Sequence, residues 1–185
     1  DYAKTETPVV SNNSAHRWTP DVPMVVPEIN PEHYEVIKYQ KERLGTKRGF
    51  IAVKSNCSLQ SYLPAMAVVN MKYPIDHALV TTYQAISGAG KTFKTWPEMV
   101  DNLIPYIGGE EMKSEVEPNK VLGKIEGKEI VPSTELQIEC QTYRVPVSNG
   151  HTAAIFFSFK DSANKPSVEE IEKMWAEYKG VPQEL

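Results

Sequence analysis

The chain has 185 residues, 41% of them hydrophobic and 24% charged, with a net charge of −4. That is enough for one domain with an adequate core and too little for a second full one. Both signs of charge are scattered, so no basic stripe suits a nucleic acid and no polybasic patch suits a membrane, and no apolar run approaches the roughly 20 residues that span a bilayer.

Two cysteines are too few for a disulfide framework, which points to a cytoplasmic protein whose thiols stay free. No signal-peptide pattern opens the chain. Residues Asp1 to Thr7 are polar and aperiodic, and with Asp1 where a Met would stand they read as part of a longer protein. Asn12-Asn13-Ser14 and Asn56-Cys57-Ser58 match the glycosylation triplet, a pattern short enough to recur by chance.

In chain order, residues 1–30 form a polar lead-in, rich in Asn, Ser and Pro from Ser11 on, with a short strand at Val25-Val26. Pro31 to Leu44 carries Tyr34, Ile37 and Leu44 near helical spacing, with Pro31 in the first turn and Gly45 as the stop. Gly49 to Val53 is an apolar run that predicts a buried strand, and Cys57 follows in Lys54-Ser55-Asn56-Cys57-Ser58. Tyr62 to Met71 predicts a mostly buried helix with Pro64 in its first turn. His77 to Tyr83 reads as a strand that delivers Gln84 to the loop AISGAGKT, and EEMKSE starts a helix at Glu110. Glu135 to Arg144 alternates, with Leu136, Ile138 and Cys140 on one face and Gln137, Glu139 and Gln141 on the other. Thr152 to Lys160 is a further strand. Ser167 and Glu170 make a capping box for a helix with the stripe Val168, Ile171, Met174, Trp175 and Tyr178, ended by Gly180 and Pro182. The expected fold is α+β, a mixed sheet with helices on one face.

Free cysteine is commonly buried, and Cys140 fits that rule on the apolar face of its strand. Cys57 does not. It stands among polar residues at a strand-to-helix turn, where backbone N–H groups favour a thiolate. His16, His33 and His77 need no explanation beyond solvation or local bonding. His151 follows the turn pair Asn149-Gly150 and starts a strand, and an imidazole is suited to proton transfer with a thiol near neutral pH. Glu110 and Lys113 share a helix face, which alone means an ordinary ion pair; Arg17 in a polar loop has an equally ordinary reading. Gly90-Lys91-Thr92 mimics the end of a phosphate loop, but Ala85 stands at its first glycine, and Phe93 stands where a dinucleotide fingerprint needs its third.

Four ordered stretches then resemble one family. Ser55-Asn56-Cys57-Ser58, Thr82 to Gly90 (TYQAISGAG), Ile104 to Glu111 (IPYIGGEE) and Arg144 to Thr152 (RVPVSNGHT) are similar to the catalytic domain of aspartate-β-semialdehyde dehydrogenases, most closely the archaeal and fungal branch. The likeness runs from about Val9 to the end. It implies a sheet domain like the C-terminal domain of glyceraldehyde-3-phosphate dehydrogenase. It also implies that Cys57 is the nucleophile, His151 the acid/base and Gln84 the group that orients the carbonyl. Arg144 would bind the substrate carboxylate and Glu110 its ammonium, while Asn56, Lys113 and Arg17 would hold phosphate or the acyl phosphate. Ser87 and Gly88 would touch the cofactor NADP, whose Rossmann domain such enzymes carry ahead of this region; no cofactor is expected on the fragment alone, and no metal. The implied partners are a small-molecule substrate, inorganic phosphate and further copies in a homodimer or homotetramer. Two related acyl reductases, acting on malonyl-CoA or N-acetylglutamyl phosphate, and a non-catalytic dimerisation module are the alternatives; Glu110 argues against malonyl-CoA, which has no amino group.

Overall fold

The computed structural model describes residues 1–185. Its strands are β1 (Val9–Ser11), β2 (Ile51–Val53), β3 (Ile75–Gln84), β4 (Lys124–Glu126), β5 (Glu129–Val131), β6 (Gln137–Arg144) and β7 (Thr152–Phe159). The helices are α1 (Ile37–Leu44), α2 (Leu63–Lys72), α3 (Glu110–Val121), α4 (Val168–Glu177) and the single turn α5 (Val181–Glu184). No helix is long and apolar enough to cross a membrane. Composition suggests one domain over residues 1–185. The chain gathers into two compact units, one of Asp1–Ser55, Asn119–Thr134 and Glu177–Leu185, the other of Asn56–Pro118 and Glu135–Ala176.

In the first unit β1 pairs in parallel with β2, and β4 and β5 form a hairpin. The lead-in is therefore partly structured. Val25 and Val26 are buried but form no strand; Val25 N–H donates to the Val53 carbonyl, and Asn30 Oδ1 takes the Val26 N–H. Pro31–Val36 is a 3-10 turn that runs into α1, which stops where Gly45 adopts a left-handed backbone. The buried positions there are His33, Val36 and Gln40, while Tyr34 is exposed. Hydrogen bonding decides that choice: Gln40 Nε2 donates to the Asp21 and Ile51 carbonyls, and its Oε1 accepts the Ile51 N–H. Satisfied in this way, an amide can be buried in place of an apolar side chain.

The second unit is built on a three-stranded mixed sheet in the order β6-β3-β7. β3 and β6 are parallel, paired from His77↔Gln137 to Gln84↔Arg144, and β7 runs antiparallel to β3. Period-two side chains give the sheet two unlike faces. Ala78, Val80, Thr82, Ile138, Cys140 and Thr142 are buried on one, which the helices cover; on the other Leu79, Tyr83 and Phe156 lie open, Phe156 at 76% exposure. The expected α+β arrangement is what forms. Pro64 sits in the first turn of α2, as anticipated. Pro118 lies inside α3, where it cannot donate to the Ser114 carbonyl; the Tyr62 hydroxyl donates to that oxygen instead, at 3.1 Å. The Ser167 cap of α4 forms, with its Oγ accepting the Glu170 N–H, but the apolar stripe is not a core face, since Val168 and Trp175 stay exposed. Trp175 is tied down by its indole N–H, which donates to the Ala65 carbonyl.

Candidate active site

Strand direction assembles the site. Because β3 and β6 are parallel, their C-terminal ends meet, with Gln84 paired to Arg144. Because β7 is antiparallel to β3, its first residue, Thr152, lies opposite Tyr83, and His151 is delivered to the same end of the sheet. The turn before His151 needs Gly150 in the left-handed region, φ +89°, which only glycine adopts without strain.

Cys57 is exposed, on the turn that precedes the helical segment, and its Sγ lies 3.4 Å from His151 Nε2. His151 Nδ1 accepts the Ala85 N–H at 3.1 Å. With Nδ1 acting as acceptor, the ring carries its proton on Nε2 and presents it to the sulfur. Cys140 has the opposite surroundings, and burial pushes its thiol up to about 11.

Arg144 is almost fully buried, and its Nη1 donates to the Ala85 carbonyl at 2.7 Å. Burial lowers its pKa, opposed by the charges of Glu110 and Cys57, from a value high enough that the guanidinium stays cationic. Gln84 is buried, and its Nε2 donates to Thr82 Oγ1 at 3.2 Å. Burial also pushes the Glu110 carboxyl up, but hydrogen bonds from Lys113, Asn56 and Gln84 outweigh it, with the Lys113 charge, and hold it below the usual carboxylate range. The Glu110–Lys113 pair is 2.7 Å long. Asn56 Nδ2 donates to the other Glu110 oxygen at 2.8 Å, and Asn56 Oδ1 accepts from the Ser58 N–H and hydroxyl. Gly88 belongs here because of size. A Cβ at this position would meet Arg144 Nη1 at 2.8 Å and His151 Cε1 at 3.0 Å. The N–H of its neighbour Ser87 is held by the Ser148 carbonyl.

Cys57, Gln84, Asn56, Glu110, Lys113, Arg144, His151 and Gly88 thus all belong to the second unit, in one connected set of contacts. Arg17 belongs to the first, where its Nε and Nη2 donate to the Lys54 and Asn12 carbonyls. Sequence reasoning missed Glu117 and Ser114, which follow Glu110 on one face of α3, and the Ala85 N–H. The i, i+4, i+7 spacing of Glu110, Ser114 and Glu117 was a signal that a polar face of this helix is put to use.

A thiol within reach of an imidazole, flanked by a cation and a hydrogen-bonded carboxylate on an α+β sheet, is an arrangement suited to nucleophilic thiol chemistry. The chain belongs to the family described as semialdehyde dehydrogenase, dimerisation domain, whose model matches residues 67–184. Among curated relatives, the aspartate-semialdehyde dehydrogenase of Aspergillus fumigatus is 36% identical over 188 residues, spanning 100% of this chain and 52% of that protein. That of Candida albicans is 42% identical over 182 residues, 92% of this chain and 49% of the relative. The archaeal enzyme of Methanothermobacter thermautotrophicus is 37% identical over 177 residues, 96% and 50%. The crystal structure of the Candida albicans enzyme with NADP superposes with a TM-score of 0.85 at 36% identity, covering 99% of this chain and 52% of that one. A Vibrio cholerae aspartate semialdehyde dehydrogenase superposes at 0.74, with 25% identity and coverage of 96% and 55%. The chain therefore spans about half the length of the relatives it matches.

Proposed function

We propose that residues 1–185 are the substrate-binding, catalytic and oligomerisation region of a cytoplasmic aspartate-semialdehyde dehydrogenase. The enzyme would carry out NADPH-dependent reductive dephosphorylation of β-aspartyl phosphate in amino-acid biosynthesis. The observation that carries this reading is the 3.4 Å approach of Cys57 Sγ to His151 Nε2, with Arg144 and Glu110 in the same set of contacts. β-Aspartyl phosphate presents a carboxylate, an ammonium and a phosphoryl group. Arg144 suits the first, and the Glu110 carboxylate, held ionised, suits the second. Lys113 and Asn56 are the phosphate partners in this reading.

The Cys57 thiolate attacks the acyl carbon, the bond from that carbon to the phosphate oxygen breaks, and phosphate leaves as the thioester forms. Gln84 orients the acyl oxygen. NADPH, when bound, supplies a hydride to that carbon. His151 moves the proton at Nε2 between the sulfur and the acyl oxygen, so that the thiohemiacetal can collapse to aspartate semialdehyde and the thiolate return. Ser87 and Gly88 are the cofactor-side residues in this reading, Gly88 lying against Arg144 and His151 where no side chain could stand. The open sheet face of Leu79, Tyr83 and Phe156 supports a homodimer formed through the sheet, since so large an apolar surface favours burial.

The test is phosphate-dependent reduction of NADP by the full-length gene product given aspartate semialdehyde, beside Cys57→Ala, with the mass in solution read by sedimentation. Activity that requires phosphate and vanishes with Cys57, in a particle of at least two copies, is the expected result. Turnover that survives Cys57→Ala would overturn it.

A further inference from the structure

We propose that Glu117 is a positioning residue for the nucleophile: its carboxylate holds the peptide N–H of Asn56 and thereby fixes the turn that presents Cys57. The proposal rests on the reading of Cys57 as the nucleophile. Glu117 is 1% exposed, and its Oε2 accepts the Asn56 N–H at 2.6 Å. The N–H it holds belongs to the peptide that joins Ser55 to Asn56, the residue before Cys57.

Glu117 does not act alone on this turn. Glu110, two turns earlier on α3, takes the Asn56 side-chain amide, and Ser114, between them, places its Oγ 3.4 Å from Ser58 Oγ. One face of α3 therefore holds the residues on both sides of Cys57. The next residue, Pro118, leaves the Ser114 carbonyl free for the Tyr62 hydroxyl, and Tyr62 stands at the start of α2. The stretch from Asn56 to Tyr62 is thus tied to α3 at its beginning, middle and end.

The choice of residue is informative. Burying a carboxylate is costly, and a neutral acceptor would satisfy one N–H at lower cost. A carboxylate instead makes a short, charge-assisted bond that restricts the peptide more tightly. Such restriction serves a nucleophile that must lie within bonding distance of an acyl carbon and within reach of an imidazole, where displacement by about 1 Å costs about a hundredfold in rate.

The test uses the full-length enzyme as wild type, Glu117→Ala, Glu117→Gln and Cys57→Ala. The readouts are kcat, KM for aspartate semialdehyde, and the rate of alkylation by iodoacetamide from about pH 6 to about pH 9. Glu117→Ala is expected to lower kcat by about tenfold to a hundredfold with little change in KM, and to shift the pH profile of alkylation. Glu117→Gln keeps an acceptor at the same reach without the charge and should recover part of the loss. Should Glu117→Ala not fold, Glu117→Asp replaces it, keeping the charge but withdrawing the oxygen by one methylene, and should lose more rate than Gln does. A wild-type kcat and alkylation profile in Glu117→Ala would overturn the proposal, as would equal losses in Gln and Ala. If wild-type alkylation persists in Cys57→Ala, the nucleophile reading fails first, whatever the Glu117 variants do.

Discussion

In the first unit, buried polar side chains end mostly on the backbone or on one another. His33 Nε2 donates to the Gly123 carbonyl and its Nδ1 accepts from Asn30; Gln40 spans Asp21 and Ile51; Lys120 Nζ donates to the Arg17 and Thr19 carbonyls. Burial lowers the Lys120 pKa to about 8, so even this ammonium is a structural donor under strain from desolvation. In the second unit the buried set of Asn56, Gln84, Glu117 and Arg144 surrounds a single exposed thiol. Buried polarity is therefore not in itself a sign of function. Convergence on an exposed reactive atom is, because only there can the groups act on something outside the protein.

The sharpest break of this comparison is His151→Asn. It should lower kcat by about 10²–10⁴ while the unfolding midpoint hardly moves; steady-state kinetics with differential scanning calorimetry would show both. An equal loss of rate from a His33 variant would remove the distinction between the units. Gly88→Ala comes next. The added Cβ must displace Arg144 or His151, so turnover should fall by about tenfold to a hundredfold and KM for aspartate semialdehyde should rise. An unaffected KM would mean that Arg144 does not bind the substrate carboxylate. Gln40→Ala should do the reverse in the first unit, costing about 1 to 2 kcal/mol of stability in urea unfolding while kcat per folded molecule is unchanged.

The smallest effect is a pH dependence. Burial, the largest cause, lowers the His33 pKa below its ordinary 6.5 despite the Gly123 bond. Between the folded value and 6.5 the unfolded chain binds more protons. The His33 contribution is therefore complete above about pH 6.5 and is lost as pH falls, with a slope of at most about 1.4 kcal/mol per pH unit. Urea unfolding at a series of pH values, with His33→Gln as the reference, should show that slope disappear. A slope unchanged in the variant would assign it to other groups.

Local regularities in the chain were legible. The alternation of β6, the turn pair before His151, the Pro64 first turn of α2 and the Ser167 cap are all set by neighbours within a few residues, where sterics and short hydrogen bonds decide. The exposed setting of Cys57 against the buried one of Cys140 followed from the same patterns. The stripe of α4 shows the limit of that reasoning: period 3.6 was right, yet whether a stripe is covered depends on what lies beside it. The same holds for Tyr34, displaced from the buried face by Gln40, whose partners lie 11 and 19 residues away.

The sequence by itself therefore determined the longer elements α2, β3, β6 and β7, the residue types able to do thiol chemistry and, through four ordered motifs, the family. Tertiary structure decided which of those residues meet. Parallel pairing of β3 with β6 brings Gln84 beside Arg144, antiparallel β7 returns His151 to Cys57 across 94 residues, and α3 brings Glu117 to Asn56 across 61. Periodicity records which way a side chain points along its own element. It cannot record which distant element lies opposite, because that choice is made by the burial and hydrogen bonding of the whole chain at once.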